Sequence, residues 1–317
     1  MSAPDDAGLR IAGAPISWGV CEAPGWGAQL EPTRVLQELQ AAGYVATEAG
    51  PDDFLAHDAA ALRTQLAPSG LELAGAFVPV VLHDAEARER TYAQLDAALE
   101  RLEAFPSAVA CLAVLGDRAD YEAREVLGAE DWASVLAGLD ALAARAKARG
   151  VTCVVHPHVG TVVERGEDVD RVLDGSSIGL CLDTGHLLLG GVDPLELVRR
   201  SSARIAHVHL KDVDSALAER WRTGAASYHS SVEAGMYVPL GEGDAQVGDV
   251  VDELVRRSYD GWLVVERDTA LPEPDDDADV EGGPGTAIDE RIAAAARERT
   301  WVQERIAAAR ATSGPRR

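Results

Sequence analysis

The chain has 317 residues, of which 47% are hydrophobic, so it is long enough for one large α/β barrel or for two smaller domains. Its 53 acidic and 29 basic residues give a formal net charge of −24, which argues against nucleic acid and anionic membranes as partners. No apolar run reaches the roughly 18 residues of a membrane span, and the first residues lack a signal-peptide pattern. The four widely spaced cysteines form no CxxC pair, so we expect buried free thiols in a cytoplasmic protein.

Strand-like and helix-like segments alternate along the chain. Strands are predicted at 9–15, 44–49, 71–81, 108–115, 151–155, 178–182, 205–209 and 262–265. Helices are predicted at 32–42, 59–66, 84–102, 132–149, 167–173, 194–200, 247–257 and 287–311, with long irregular loops at 16–31 and 215–243. Eight strands alternating with helices, and no GxGxxG after the first strand, predict a single (β/α)₈ TIM barrel over 1–317 rather than a doubly wound sheet. Mobile segments are expected at 1–8, 272–285 and 312–317.

Six of the eight histidines fall at or just after a predicted strand end, and so do two carboxylates. These residues are His83, His156, His158, His186, His207, His209, Asp183 and Glu266. Because barrel active sites lie at the carboxyl ends of the strands, the pattern predicts one divalent metal site at the barrel mouth. Imidazole and carboxylate donors suit Mn²⁺, Co²⁺, Fe²⁺ or Zn²⁺, and the lack of a thiolate cluster disfavours a structural zinc site. Taken singly, any one of these histidines is more often a hydrogen-bonded core residue.

Several motifs resemble those of a known family. DTGH (183–186), HVHLKD (207–212), PLGEGD (239–244) and WLVVERD (262–268) resemble the xylose-isomerase-like TIM-barrel superfamily of sugar isomerases, epimerases and dehydratases. Within it, APISWGVCEAPGWG (14–27), HPHVGT (156–161) and SVEAGMYVPLGEGD (231–244) are most similar to the inosose (2-keto-myo-inositol) dehydratases. The resemblance runs from about residue 11 to residue 267.

The resemblance implies four metal ligands at the ends of strands five to eight, which are His156, Asp183, His209 and Glu266. Most members of the superfamily carry Glu where this chain has His156, whereas inosose dehydratases are His-rich there, as this chain is. The implied cofactor is a divalent metal, Mn²⁺ or Co²⁺ first, with Zn²⁺, Fe²⁺ and Mg²⁺ as alternatives.

The resemblance also implies roles for pocket residues. His158 matches an acid/base position of related dehydratases, and His186 and Lys211 are further catalytic candidates. The substrate-binding candidates are Trp18, Glu48, His83, His207 and Arg267. Packing or capping is the alternative for Trp18 and Glu48, and a salt bridge with Asp212 is the alternative for Lys211.

Three functions follow from this pattern. The first is a metal-dependent lyase that dehydrates a keto-cyclitol such as 2-keto-myo-inositol through an enediolate, with the 215–243 loop as a lid. The second is a metal-dependent sugar isomerase or epimerase, and the third is a non-catalytic sugar-binding barrel. Epimerases of the superfamily use two carboxylates, so His156 in place of Glu favours dehydration. The expected partner is a small polyhydroxy ketone, and relatives of this fold often form homodimers.

Overall fold

A computed structural model describes residues 9–116, 126–272 and 284–313, and of residues 284–287 and 313 it describes the backbone alone. The strands are β1 (Arg10–Gly13), β2 (Ala46–Glu48), β3 (Glu72–Val80), β4 (Val109–Val114), β5 (Thr152–Val155), β6 (Gly179–Asp183), β7 (Ile205–Leu210), β8 (Asp212–Val213), β9 (Tyr237–Val238) and β10 (Trp262–Val265). The α-helices are α1 (Pro32–Ala41), α2 (Ala59–Leu66), α3 (Arg88–Leu102), α4 (Ala129–Ala148), α5 (Gly166–Gly175), α6 (Thr184–Leu189), α7 (Pro194–Ser201), α8 (Ser215–Arg222), α9 (Tyr228–Glu233), α10 (Val247–Arg256) and α11 (Pro284–Ser313). Short 3₁₀ helices lie at Pro15–Trp18 and Ser202–Arg204.

Eight parallel strands close into a barrel in the order β1-β10-β7-β6-β5-β4-β3-β2. This confirms the predicted (β/α)₈ architecture, and each predicted barrel strand overlaps an observed one. The small strands β8 and β9 form a separate antiparallel pair. The predicted mobile segments fall almost wholly outside the described residues. Since the described residues do not cover the whole chain, the single domain over 1–317 stays a prediction.

The main core lies between the barrel and its surrounding helices. Helix α10 shows why the helices pack there: Val247, Val250, Val251 and Leu254 are buried and follow the i, i+3, i+4, i+7 spacing of one helix face. Among the described residues, no helix has an apolar stretch long enough to cross a membrane.

A bulge in β7 sets the direction of its histidines. Leu180 pairs with Ile205 and Cys181 pairs with His207, so Ala206 is an extra residue on β7. Val208 and Leu210 then pack in the core outside the barrel, and His209, two residues after His207, lies on the same side as His207. The bulge therefore fixes the position of both histidines.

The expectation of an irregular loop at 215–243 is wrong, because this segment contains α8, α9 and β9. Both helices have side-chain caps: Asp214 accepts hydrogen bonds from the first turn of α8, and Ser227 accepts one from Ser230 N–H in α9. The segment packs with Trp26 and Val159 in a second apolar cluster. It therefore forms an ordered wall beside the barrel.

Candidate metal centre and active site

A cavity of about 90 Å³ lies at the carboxyl ends of the barrel strands. Its ionisable lining residues are Cys21, Glu22, Glu48, His156, His158, His209, Lys211, Tyr228, Glu266 and Asp268. Cys111, Cys153 and Cys181 are buried free thiols, as predicted, whereas Cys21 is only half-buried. The ionisable lining residues therefore make part of the cavity wall polar.

Asp183 lies at the centre of the polar cluster and is completely buried. Its Oδ1 accepts a hydrogen bond from His186 N–H at 2.9 Å, because Asp183 is the N-cap of α6. Its Oδ2 lies 3.3 Å from His156 Nε2 and 3.5 Å from His209 Nδ1. The cap thus holds the carboxylate in one orientation, with Oδ2 facing both imidazoles.

Glu266, at the end of β10, completes a convergent donor set. Its Oε2 lies 3.2 Å from His209 Nδ1. One donor atom each from Asp183, His209 and Glu266 lies within 4.8 Å of the others, and the same holds for His156, Asp183 and His186. The structure therefore brings together all four residues expected to bind a metal.

The donor atoms fit a divalent cation. His209 Nδ1 is buried and makes no hydrogen bond among the described residues, although it faces two carboxylates. Its Nε2 lies 3.2 Å from Glu48 Oε1, so the ring can donate a hydrogen bond there and keep a lone pair on Nδ1. Two imidazoles and two carboxylates are a donor set that suits transition metals and zinc.

Lys211 is buried within the same cluster. Its Nζ lies 2.9 Å from Glu266 Oε2, 2.9 Å from Asp268 Oδ1 and 3.3 Å from Asp183 Oδ2. It can also donate to His186 Nε2 at 2.9 Å. Burial alone would lower the pKa of Lys211, but the three carboxylates outweigh burial and raise it well above its ordinary value. Lys211 is therefore a charged ammonium.

The alternative salt bridge between Lys211 and Asp212 is not formed. Asp212 instead accepts backbone hydrogen bonds from Gly241, Gly243 and Ala245, at 2.8, 3.1 and 3.0 Å. Asp212 therefore holds the segment that leads into α10.

The surroundings of His158 favour a neutral imidazole. Its Nδ1 donates a hydrogen bond to the Val159 carbonyl oxygen at 2.8 Å, which leaves the lone pair of the neutral ring on Nε2. Burial, with the nearby His156 and Lys211, holds the pKa of His158 well below its ordinary value. The ring centroid lies 3.7 Å from that of His186, whose pKa burial and His158 also lower. Of these two histidines, His158 lines the cavity.

Two expected substrate-binding residues lie in the interior. Trp18 donates its indole N–H to Glu38 Oε2 at 2.9 Å and packs against Tyr44, which is the packing arrangement named as its alternative. His207 is completely buried, and its Nε2 lies 2.8 Å from Glu48 Oε1. Glu48 itself lines the cavity and also contacts His209.

Two further expected pocket residues also lie outside the cavity lining. Arg267 follows β10, but its side chain turns towards Glu298 of α11, with Nη1 and Oε1 3.6 Å apart. His83 follows β3 and is not among the described residues that line the cavity. A position just after a strand end is therefore not sufficient, because the loop can turn its side chain away.

Sequence reasoning missed Asp268 and Tyr228. Tyr228 donates a hydrogen bond to Asp268 Oδ2 at 3.1 Å, and its hydroxyl lies 2.8 Å from that of Tyr237. Asp268 follows Glu266 by two residues, a spacing that could have indicated it. Tyr228 lies in the segment expected to be irregular, so no periodicity pointed to it.

Residues 36–290 match the sequence model of the family described as Xylose isomerase-like TIM barrel. The chain belongs to this family. It is 34% identical over 279 residues to the inosose dehydratase of Geobacillus kaustophilus (strain HTA426), a match that covers 84% of this chain and 90% of that relative. It is 32% identical over 269 residues to the rhizopine catabolism protein MocC of Rhizobium meliloti, with 81% of each chain covered. The resemblance to inosose dehydratases is thereby confirmed.

Solved structures share the fold of this Xylose isomerase-like barrel. An L-ribulose 3-epimerase superposes with a TM-score of 0.65 at 16% identity, covering 96% of this chain and 97% of that one. The IolI protein, solved with a bound zinc atom, gives a TM-score of 0.62 at 15% identity and covers 92% and 97%. At 15–16% sequence identity, the likeness to these two structures establishes the barrel fold of this chain.

Proposed function

We propose that this protein is a metal-dependent lyase that removes water from a keto-cyclitol such as 2-keto-myo-inositol. One observation carries the proposal: two imidazoles and two carboxylates converge close to the His158 imidazole, at a cavity in the barrel mouth. The proposal is supported by relatives named inosose dehydratase at 27–34% identity over more than four-fifths of the chain.

The proposed metal ligands are His156, Asp183, His209 and Glu266. Mn²⁺ or Co²⁺ is the proposed ion, with Zn²⁺, Fe²⁺ and Mg²⁺ as alternatives that the donor set also accepts. A divalent ion held there would supply positive charge beside the substrate carbonyl, where negative charge develops as the α-proton leaves.

His158 is the proposed proton carrier. Its Nε2 takes the proton from the carbon next to the carbonyl, and the same proton then goes to the departing β-hydroxyl. One C–H bond and one C–O bond break, a C=C bond forms, and one water leaves. Lys211 and His186 are proposed as positioning residues, because the Lys211 ammonium is already shared among Glu266, Asp268 and His186.

The cavity favours an uncharged substrate. Among the described lining residues, Lys211 is the permanent cation, and carboxylates already surround it. A phosphate group would therefore meet carboxylates and find no unpaired lysine or arginine among the described lining residues. A small polyhydroxy ketone matches this lining, and we propose a cytoplasmic location and a homodimer on the family resemblance.

The first test is an assay of metal-stripped protein with 2-keto-myo-inositol, with and without added Mn²⁺ or Co²⁺. Mass spectrometry should show loss of one water only when metal is present, with ultraviolet absorbance following the enolised dione. The variant His158→Gln should lower kcat at least 100-fold. His57→Gln, at a histidine whose side chain is 58% exposed, is the matched control and should leave the rate unchanged.

Other outcomes would select the alternatives. Uptake of solvent deuterium without loss of water would replace the lyase by an isomerase or epimerase, since both reactions begin with the same proton removal. No turnover together with no metal binding would favour the non-catalytic sugar-binding barrel.

A further inference from the structure

A second chamber of about 480 Å³ adjoins the cavity and takes no part in the proposed chemistry. Its lining residues are Glu22, Ala23, Pro24, Trp26, Pro51, Asp52, Phe77, Pro79, Leu115, Val159, Gly160, Thr161, Tyr228 and His229. A volume of this size is in the range of pockets that hold drug-sized ligands, whose walls are mostly apolar. The chamber is about five times as large as the cavity where the chemistry is proposed.

The two spaces share a wall. Glu22, Trp26, Pro51, Phe77 and Tyr228 line both the polar cavity and the chamber. A molecule whose reacting carbons lie beside the polar cluster is therefore adjacent to the chamber at these residues.

Aromatic side chains at the junction are held in place by the fold. Trp26 is only 4% exposed, and its indole N–H donates to the Thr269 carbonyl oxygen at 3.0 Å. Its ring centroid lies 5.2 Å from that of His229 and 6.3 Å from that of Tyr228. The aromatic wall is therefore part of the packed structure.

The chamber does not suit an anionic group. No lysine or arginine is among its described lining residues. Of its two carboxylates, Asp52 is paired with Arg101 at 3.1 Å and Glu22 is exposed. Most of the remaining described wall is proline, aliphatic and aromatic surface, with Thr161 and His229 as its polar members, and such a wall gains most from contact with an uncharged apolar group.

An unsubstituted keto-cyclitol leaves this wall unused, since each of its ring carbons carries an oxygen. We infer that the substrate carries an uncharged apolar substituent, at least the size of one aromatic ring, that occupies the chamber while the cyclitol ring lies at the polar cluster. This inference rests on the proposed function and narrows its substrate class.

The test compares 2-keto-myo-inositol with each of its mono-O-benzyl ethers as substrates of the metal-loaded enzyme. At least one ether should have a kcat/KM at least tenfold higher than the parent ketone. Leu115→Trp fills the chamber from a half-buried residue that does not line the polar cavity, and it should abolish the preference while the parent ketone is still turned over. Leu82→Trp, at a half-buried leucine lining a different cavity, is the control and should keep the preference.

Failure of this inference differs from failure of the proposed function. Turnover of the parent ketone without preference for any ether would overturn the chamber assignment and leave the dehydratase intact. If no ketone reacts, saturation-transfer NMR with benzyl alcohol decides: binding to the wild type but not to Leu115→Trp supports the chamber, and equal or absent binding overturns it.

Discussion

Glu48 links two histidines below the proposed metal centre. Its Oε1 accepts hydrogen bonds from His207 Nε2 at 2.8 Å and His209 Nε2 at 3.2 Å. Burial alone would raise the pKa of Glu48, but His209 and His207 outweigh burial and lower it well below its ordinary value. Glu48 is therefore an anion that directs His209 Nδ1 towards Asp183 and Glu266.

Replacement of this carboxylate should weaken metal binding. In Glu48→Gln the amide no longer holds His209 in one orientation, and we expect a 10- to 100-fold loss of affinity for Mn²⁺ or Co²⁺. Competition with a chelator measures the dissociation constant. Glu72→Gln, at an exposed glutamate that begins β3, is the matched control. Equal affinities in the two variants would show that Glu48 does not orient His209.

The polar cluster could be found in the sequence because parallel barrel strands end at one face. Asp183, His209 and Glu266 each end or nearly end an apolar strand, so their convergence follows from the topology. Trp18 and Arg267 could not be placed in this way. Their directions depend on partners far along the chain, Glu38 and Glu298, which no local pattern indicates.

At the scale of elements, a buried carboxylate attaches the last helix to the first. Glu38 of α1 accepts hydrogen bonds from Arg34 of α1 and from Arg291 of α11, at 2.7–2.9 Å, and from the Trp18 indole. Burial alone would raise the pKa of Glu38, but Arg291 and Arg34 outweigh it and lower the pKa. This carboxylate therefore stabilises the contact of α1 with α11.

Glu38→Gln should lower the free energy of unfolding by about 2 kcal/mol at neutral pH, the usual contribution of a hydrogen bond to a charged group. Because the pKa of Glu38 is lower in the folded state than its unfolded value of about 4.3, the ionised carboxylate stabilises the fold above that pH. This stabilisation is lost as the pH falls through the folded-state pKa. The difference in the free energy of unfolding between Glu38→Gln and wild type should therefore become smaller below about pH 4.3. Urea unfolding at several pH values measures it.

The control for this prediction is Glu219→Gln, which removes the exposed pair with Arg222 and should cost less than about 1 kcal/mol. A loss of unfolding free energy in Glu38→Gln as small as that of the control, or one that does not change with pH, would contradict the attachment of α11 through the ionised carboxylate.

The elements of 215–243 show what sequence periodicity misses. Helices α8 and α9 have eight and six residues, too few for an apolar stripe to stand out, yet Asp214 and Ser227 are ordinary N-cap residues. The bulge at Ala206 is equally local, and nothing in the sequence IAHVHL distinguishes it from a regular strand. The amphipathic helix α10 is predicted to within one residue at each end, whereas the predicted start of α3 is four residues early and that of α4 is three residues late.

At the scale of the whole molecule, the proposed active site concentrates carboxylates in a chain whose net charge is already −24. Asp183, Glu266 and Asp268 all contact Lys211, so one ammonium offsets three buried carboxyl groups. A divalent cation at the proposed site would reduce this imbalance and would bind the folded state alone.

Metal should therefore raise the melting temperature. At a free concentration 100 times the dissociation constant, the expected stabilisation is about 2.7 kcal/mol, or about 4 °C for a chain of this length. Thermal unfolding of stripped and Mn²⁺-loaded protein measures the shift. Asp183→Asn should abolish most of it, and an equal shift in that variant would place the ion elsewhere.

The chain contains only two lysines, and they lie at opposite ends of the barrel. Lys211 is enclosed at the mouth, whereas Lys147 is exposed near the end of α4, just before β5 begins. Apart from the α-amino group, an amine-reactive linker therefore has one accessible point of attachment, on the face opposite the proposed active site. Immobilisation through Lys147 on a sensor surface or a solid support would leave every copy with its mouth towards the solution.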